Sequence, residues 1–379
     1  MSYRPFAASV LVALLSCVAL AQDPTADLEL VRKIGPKGGG YAAARPALDR
    51  LNQLAPSELP RVLAALDGAS PLAQNWLRSV AETLGEKAKD QLPVAALETF
   101  LKDTTHDPRG RRLAYELIAR VDAKAEERLI PGFLNDPSLE LRRDAVSLAI
   151  NSAAGLEAND KAGAIAKYRT ALSAARDQDQ VKTVADKLKA LGESTDLVTH
   201  YGLITEWKLV APFDNTDDKG WDFAYPPETA VDLKAEYEGK EGKIKWIDHS
   251  TKDPLALVDL TTALGKHKGA VCYAATEFIS AKEQDVEFRV ECVTANKLWL
   301  NGKELMANFQ YHSTSGEDLD QYIARGKLKP GKNLILLKIC QNEQKEMWAQ
   351  RWQFQLRVCD AIGSPIFSQD RMLPKTAAK

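Results

Sequence analysis

Catalytic signatures are what this sequence most lacks. It holds no H-E-x-x-H, no G-x-S-x-G and no dinucleotide fingerprint, so the chemistries that need those spacings find no footing. Histidine is scarce: His106, His200, His249, His267 and His312 stand singly. His312-Ser313 sets a base beside a hydroxyl, but adjacent residues rarely align for proton transfer. An excess of one charge is missing too. Fifty basic and 52 acidic residues leave a net charge of −2, which creates no global field to recruit nucleic acid or an anionic membrane. After the first 21 residues no run approaches the roughly 20 apolar residues of a membrane span. Paired C-x-x-C is absent, which argues against a structural zinc site.

What is present begins at the N-terminus. Arg4 precedes the uncharged run from Phe6 to Ala21, which closes on Ala19-Leu20-Ala21 before Gln22-Asp23-Pro24. A short basic region, an apolar core and a small-x-small end read as a secretory signal peptide over 1–21, cut after Ala21. Leu14-Leu15-Ser16-Cys17 makes a poor lipobox, because bulky Leu15 precedes Ser16 and apolar residues follow Cys17. The expected location is therefore periplasmic or extracellular, with a lipoprotein the less favoured alternative. Cys272, Cys292, Cys340 and Cys359 remain after processing. In an oxidising compartment they are either disulfide partners, in an unspecified pairing, or small buried apolar residues.

From Tyr41 the chain turns helical and repetitive. Gly35 to Gly40 has phosphate-loop spacing, but Tyr41 stands where that motif needs Lys and no strand precedes it. Arg45-x-x-Leu48-x-x-Leu51 recurs from Arg78, Arg111 and Arg142, at intervals of 33, 33 and 31 residues. Between these lie second helices, such as Leu59, Val62, Leu63, Leu66 and Val94, Leu97, Phe100, Leu101, each with one apolar face. Leu59-Pro60 and Leu92-Pro93 open them where proline's missing N–H costs nothing. Asp136-Pro137 followed by Arg142-Arg143-Asp144-Ala145 completes a pattern that resembles HEAT repeats over about 45–150. The resemblance implies an α-solenoid of stacked helical hairpins. Arg109, Arg111, Arg112, Arg142 and Arg143 are read as partners of Asp107, Asp136 and Asp144 or as a solvated face, in preference to a nucleic-acid stripe. Ile165, Tyr168, Leu172, Ala175 and then Val181, Val184, Leu188, Leu191 form longer stripes, a helical cap ended by Gly192.

Beyond about residue 204 the composition changes: six of the seven tryptophans lie from Trp207 onward and apolar residues alternate. The expected strands are Trp207–Phe213, Ile244–Trp246, Leu255–Leu260, Ala270–Ile279, Asp285–Val293, Lys297–Leu305, Asn333–Cys340 and Trp352–Cys359. Within Lys297–Leu305, Asn301-Gly302 marks a two-residue type I′ hairpin turn. Many short strands without intervening helices predict an antiparallel β-sandwich. L-W-L-N-G-K-E (298–304), L-K-P-G-K-N-L-I-L-L-K (328–338) and W-Q-F-Q-L-R-V (352–358) resemble the galactose-binding-like jelly roll. With W-K-L-V-A-P-F-D-N (207–215) and Y-P-P-E (225–228), the chain is similar to uncharacterised exported bacterial proteins that join a HEAT-like array to such a domain. The expected layout is a signal peptide (1–21), a helical repeat domain with its cap (22–200), a β-sandwich (201–368) and a polar tail (369–379).

Two regions attract a binding hypothesis. Asp214 to Tyr225 sets acids beside Trp221 and Tyr225; Asp214, Asp217 and Asp218 are a weak Ca²⁺ candidate whose spacing fits no EF-hand. The second region offers Phe309, Tyr311, His312, Trp348 and Arg351, aromatic faces and polar groups of the kind that hold sugars. Trp246, Trp299 and Trp352 are assigned to the core. No other cofactor is expected. The reading is an exported, non-catalytic adaptor, its helical repeats contacting a protein partner and its sandwich a glycan or protein. Against it stand a carbohydrate-processing hydrolase with its site in the 306–351 loops, betrayed by paired acids such as Glu317 and Asp320, and a structural envelope component.

Overall fold

The computed structural model describes residues 23–312 and 319–371. The expected signal peptide at 1–21, Ser313, Glu317 and the residues beyond 371 lie outside the described residues. The chain is helical first and antiparallel sheet afterwards, and it divides into two compact units, one up to Leu129 and one from Ile130 onward.

The first unit holds α1 (Thr25–Arg32), α2 (Tyr41–Leu51), α3 (Leu59–Ala64), α4 (Pro71–Ala88), α5 (Val94–Lys102), α6 (Pro108–Val121) and α7 (Ala125–Leu129). The apolar positions read from the spacing are its core: Leu48, Leu51, Leu59, Val62, Leu63, Leu97, Phe100 and Leu101 are buried. Ser70 caps α4 and Asp107 caps α6, each side chain accepting a backbone N–H of the first turn. Arg111 is fully buried, and its Nε donates to the Leu101 carbonyl at 2.8 Å.

In the second unit α8 (Leu139–Ala154), α9 (Lys161–Ala174), α10 (Gln178–Ala190) and α11 (Leu197–Tyr201) precede the strands. Buried Arg142 repeats the role of Arg111, donating from Nε to the Asp136 carbonyl at 2.7 Å. The other clustered arginines take partners the sequence did not nominate: Gln74 for Arg109, Glu116 for Arg112, and Asp177 and Asp179 for Arg143. Gly192, with φ of 87°, ends α10 as expected. Val146, Ala174, Val181 and Tyr201 of these helices share a buried cluster with Leu203, Ala256 and Leu319. Contacts thus group them with the sheets, although composition changes only near 192–204.

Strands β1 (Glu206–Asp214), β2 (Glu236–Gly239), β3 (Gly242–Lys245), β4 (Ile247–Ser250), β5 (Val258–Asp259) and β6 (Ala270–Ser280) come first. They are followed by β7 (Gln284–Cys292), β8 (Asn296–Leu300), β9 (Lys303–Asn308), β10 (Tyr322–Leu328), β11 (Gly331–Gln341) and β12 (Gln353–Cys359). They form a six-stranded sheet in the order β4-β1-β6-β11-β8-β9, a four-stranded sheet in the order β10-β7-β12-β5 and a β2-β3 ribbon. All pairings are antiparallel. Alternate residues of the two larger sheets meet in one core, with Leu209, Cys272, Leu298, Leu337 and Ile339 facing Phe288, Val290, Phe354 and Leu356. Trp352 is buried there as expected.

The β8–β9 hairpin turns on Asn301 and Gly302, with φ of 52° and 80°, the left-handed pair a type I′ turn requires. Asn301 also ties the turn to β11: its Oδ1 accepts the Leu334 N–H at 2.9 Å and its Nδ2 donates to Asn333 Oδ1 at 3.0 Å. Several expectations change: β2 and β4 form outside the expected strands. Leu255–Leu260 supplies only the two-residue β5, because a short helix begins at Leu260 on the Asp259 cap. β10 was not expected, since Gly326 weakens its pattern; a Cβ there would come within 2.9 Å of the Phe288 ring.

Candidate functional site

The outward face of the six-stranded sheet carries a second apolar cluster. Val210 and Phe213 of β1, Val271, Tyr273 and Ala275 of β6, Trp299 of β8 and Leu336 and Cys340 of β11 point away from the central core. They are covered by the chain from Asn215 to Trp246, which includes two short helices, α12 (Lys219–Asp222) and α13 (Pro226–Thr229). Trp246 and Trp299 are core residues here, in agreement with their assignment from sequence.

Lys338 fixes this cover. It lies on β11 among outward-facing residues, and its side chain is wholly buried. Its ammonium donates to Glu228 Oε1 at 2.7 Å, to the Trp221 carbonyl at 3.1 Å and to the Phe223 carbonyl at 2.9 Å. All three N–H donors are therefore used, which is what a buried ammonium requires. The Tyr273 hydroxyl donates to the same Glu228 oxygen. Burial, reinforced by that carboxylate, pushes the Tyr273 phenol well above its ordinary value.

A second anchor is Asn215, also fully buried. Its Nδ2 donates to the Tyr311 hydroxyl at 3.0 Å and to the Gln341 carbonyl at 3.2 Å, joining the start of the covering segment to the residues after β9 and to the end of β11. Burial raises the Tyr311 phenol as well.

These anchors assemble most of the residues expected at a site. Trp221 packs on Phe309 with ring centroids 5.3 Å apart, Phe309 on Tyr311 at 5.7 Å, Tyr311 on His312 at 6.1 Å and His312 on Trp348 at 5.1 Å. The rings form one continuous row. Its members differ in exposure: Phe309 is 59% and Trp348 60% exposed, whereas Trp221 and Tyr311 pack against the sheet. Lys297 Nζ lies 4.5 Å from the Trp221 ring and occupies one of its faces. Asn342 holds His312 through its Oδ1, 3.0 Å from Nε2, and Phe223 and Met347 add exposed apolar area. Asn342, Gln344 and Gln350 bring amide groups to the loop that carries Trp348.

Tyr225 and Arg351 stand apart from the row. Tyr225 stacks on Phe213 and Phe223, at 4.6 and 4.7 Å, and donates its hydroxyl to the Asp214 carbonyl, so it belongs to the cover. Arg351 is exposed, and its backbone carbonyl accepts from Gln341 Nε2 at 3.3 Å.

The Ca²⁺ candidate does not assemble. Asp214 Oδ1 accepts from Thr216 and pairs with Lys240 at 3.2 Å, while Asp217 pairs with Lys219 at 2.9 Å. Among the described residues no group of three or more His, Cys, Asp or Glu side chains is placed to hold an ion, Asp218 included. Asp320 is also spoken for. Arg357 grips it in a two-pronged pair at 2.7 and 2.6 Å, and Arg289 adds a third contact at 2.7 Å. Burial opposes its ionisation, but these guanidinium groups outweigh it and hold the carboxyl below its ordinary value. It is held as a structural anion, and Glu317, the acid named beside it, lies outside the described residues.

The residues that sequence reasoning missed are the anchors: Lys338, Glu228 and Asn215. The one signal was a lysine inside the otherwise apolar run Leu334–Ile339.

No protein-family model matches the sequence, and no curated protein is similar to it. Among solved structures it is similar to an anti-sigma factor domain-containing protein from Clostridium clariflavum, at 11% identity over 44% of this chain and 45% of that one, with a TM-score of 0.23. A β-glucuronidase from an uncultured Clostridium sp. matches at 12% identity over 42% of this chain and 28% of its own, with a TM-score of 0.23. A β-glucosidase from Kluyveromyces marxianus matches at 12% identity over 46% and 21%, with a TM-score of 0.26. The chain spans less than half the length of each of these proteins. At such distances the likeness assigns no residue a role. The expectation of a non-catalytic adaptor is not upheld by these matches, which include a β-glucuronidase, a β-galacturonidase and a β-glucosidase.

Proposed function

We propose that this chain serves carbohydrate processing and that the row Trp221, Phe309, Tyr311, His312, Trp348 is where it holds a glycan. The observation that carries the reading is the row itself. A large aromatic surface is expensive to leave in water, yet Phe309 and Trp348 stay more than half exposed beside the anchored Trp221 and Tyr311. Sugar rings present apolar C–H faces that stack on such planes, and the neighbouring amides of Asn342, Gln344 and Gln350 suit their hydroxyls. The 306–351 loops are accordingly the site of this function. In the same proposal the helical part is a HEAT-like solenoid, and the paired sheets are a galactose-binding-like jelly roll. The common use of Arg111 and Arg142 supports the first, and the Asn301-Gly302 hairpin supports the second. Export through residues 1–21 to the periplasm or beyond is part of the reading.

The test is affinity electrophoresis of the full chain against a panel of soluble polysaccharides, run beside a reducing-end assay on the same substrates. Retardation by at least one polysaccharide, lost in Trp348→Ala, is the expected result. Neither retardation nor release of reducing ends on any substrate would sink the reading.

A further inference from the structure

Exposure divides the aromatic row into supports and platforms. Trp221 packs against the outward face of the six-stranded sheet, and Lys297 Nζ covers its ring at 4.5 Å. Tyr311 packs on the same face, and its hydroxyl accepts from Asn215. Both are supports, committed to the protein. Phe309 and Trp348 are the platforms, each more than half exposed. They stand on different segments, one after β9 and one after β11, with Tyr311 and His312 between them in the row.

Each platform is accompanied by an exposed amide. Gln310 follows Phe309 directly; its Oε1 accepts from the Tyr322 hydroxyl at 3.4 Å, and its Nε2 meets no acceptor among the described residues. Gln344 is tied to the other platform through Asn342, which donates to Gln344 Oε1 at 2.9 Å and holds His312, the ring packed against Trp348. Gln344 Nε2 is likewise uncommitted among the described residues, and both glutamines are exposed. Donors on exposed side chains are reached from solvent without opening the fold. The two parts of the row thus repeat one composition, an apolar plane accompanied by an amide N–H, which suits the C–H face and the hydroxyls of a pyranose.

A pyranose is a six-membered ring, so a single sugar covers one platform and leaves the other in water. A chain that reaches both must carry further residues across Tyr311 and His312. Its second contact then comes without a second loss of translational freedom. Rings more than half exposed also leave a chain room to run on past each of them. We propose that the row recognises an internal stretch of a polysaccharide through two subsites, one at Phe309 and one at Trp348, both filled by the same chain. A mono- or disaccharide fills one subsite at a time. The inference rests on the carbohydrate reading above and adds to it a minimum length of ligand.

The probes are two- and six-residue fragments, size-fractionated from a partial acid hydrolysate of a polysaccharide that retards the full chain, and titration calorimetry reads their affinities. The six-residue fragment should bind about tenfold or more tighter than the two-residue one. Phe309→Ala and Trp348→Ala, each shown to fold by its melting curve, should each bring the six-residue fragment down to the affinity of the two-residue one. Binding of the two-residue fragment should change by about twofold or less in either variant, because the surviving platform still holds it. Equal affinities for the two fragments in the parent overturn the proposal, and so does a Phe309→Ala variant that binds the six-residue fragment as the parent does. In both cases retardation that depends on Trp348 leaves the carbohydrate reading standing. Retardation by no polysaccharide overturns the proposal from the other side, by removing the reading on which it rests.

Discussion

Lys338 Nζ stands 2.7 Å from Glu228 Oε1, and the lysine side chain has no exposed surface. Through the same ammonium the Trp221 and Phe223 carbonyls are held over the sheet, so one buried charge positions one end of the aromatic row. Removing one partner of such a pair strands the other. Glu228→Ala should destabilise the protein by about 3–5 kcal/mol in urea denaturation. Lys338→Met combined with Glu228→Gln should recover most of that stability yet still weaken glycan binding, because Trp221 loses its anchor. Unchanged binding in the double variant would show that the anchor does not serve the site.

The exposed end of the row should behave oppositely. Trp348 is 60% exposed, so Trp348→Ala should shift stability by about 0.5 kcal/mol or less. Affinity for a retained polysaccharide should fall about tenfold or more, the worth of one lost aromatic platform. Melting curves and affinity electrophoresis on one preparation read both quantities.

His200 should make the second unit acid-sensitive. Burial, joined by the positive charge of Arg176 and Arg357, pushes its imidazole from the ordinary 6.5 down to about 4. The folded value lies below the unfolded one, so the unfolded chain takes up the proton first. The contribution is intact above pH 6.5 and is lost as pH falls towards about 4. The loss is at most about 3 kcal/mol. Denaturation midpoints of His200→Gln should decline less across this window than those of the parent; parallel curves would refute the assignment.

The four described cysteines should be unreactive thiols. Cys272, Cys292, Cys340 and Cys359 are all free and buried, and burial pushes Cys292 and Cys359 up to about 11 and Cys340 up to about 12. Reaction with a thiol reagent should be negligible in the native protein and complete for these four after unfolding, and a reducing agent should leave the melting temperature unchanged. A reductant-sensitive melting temperature would reveal a disulfide.

Much of this architecture was legible because periodicity reports burial. The stripes Leu59, Val62, Leu63 and Leu97, Phe100, Leu101 became helix cores, and the alternation of Val286, Phe288 and Val290 became a sheet face. Asn301-Gly302 was legible because few other pairs accept two left-handed residues in succession. The row's members were nominated from their composition alone. Their adjacency was not legible, since Trp221, Phe309 and Trp348 follow β1, β9 and β11, which are brought together only by the pairing of β1, β6, β11, β8 and β9. Nor was the anchoring legible: Lys338 and Glu228 are 110 residues apart, and Asn215 reads locally as a turn residue. Asp320 shows the reverse error, an acid whose local setting in a polar loop hid the two arginines that claim it.

Neighbouring rings of the row are turned against one another, by 53° between Trp221 and Phe309, 82° between Phe309 and Tyr311, 40° between Tyr311 and His312, and 84° between His312 and Trp348. No run of adjacent rings makes a level strip. Crystalline polysaccharide, whose chains lie side by side in a plane, demands such a strip. A single dissolved chain that twists as it passes does not, and it can lay a different face on each ring. The protein should therefore stay in the supernatant when microcrystalline cellulose is spun down, and migrate late only through gels that hold soluble chains.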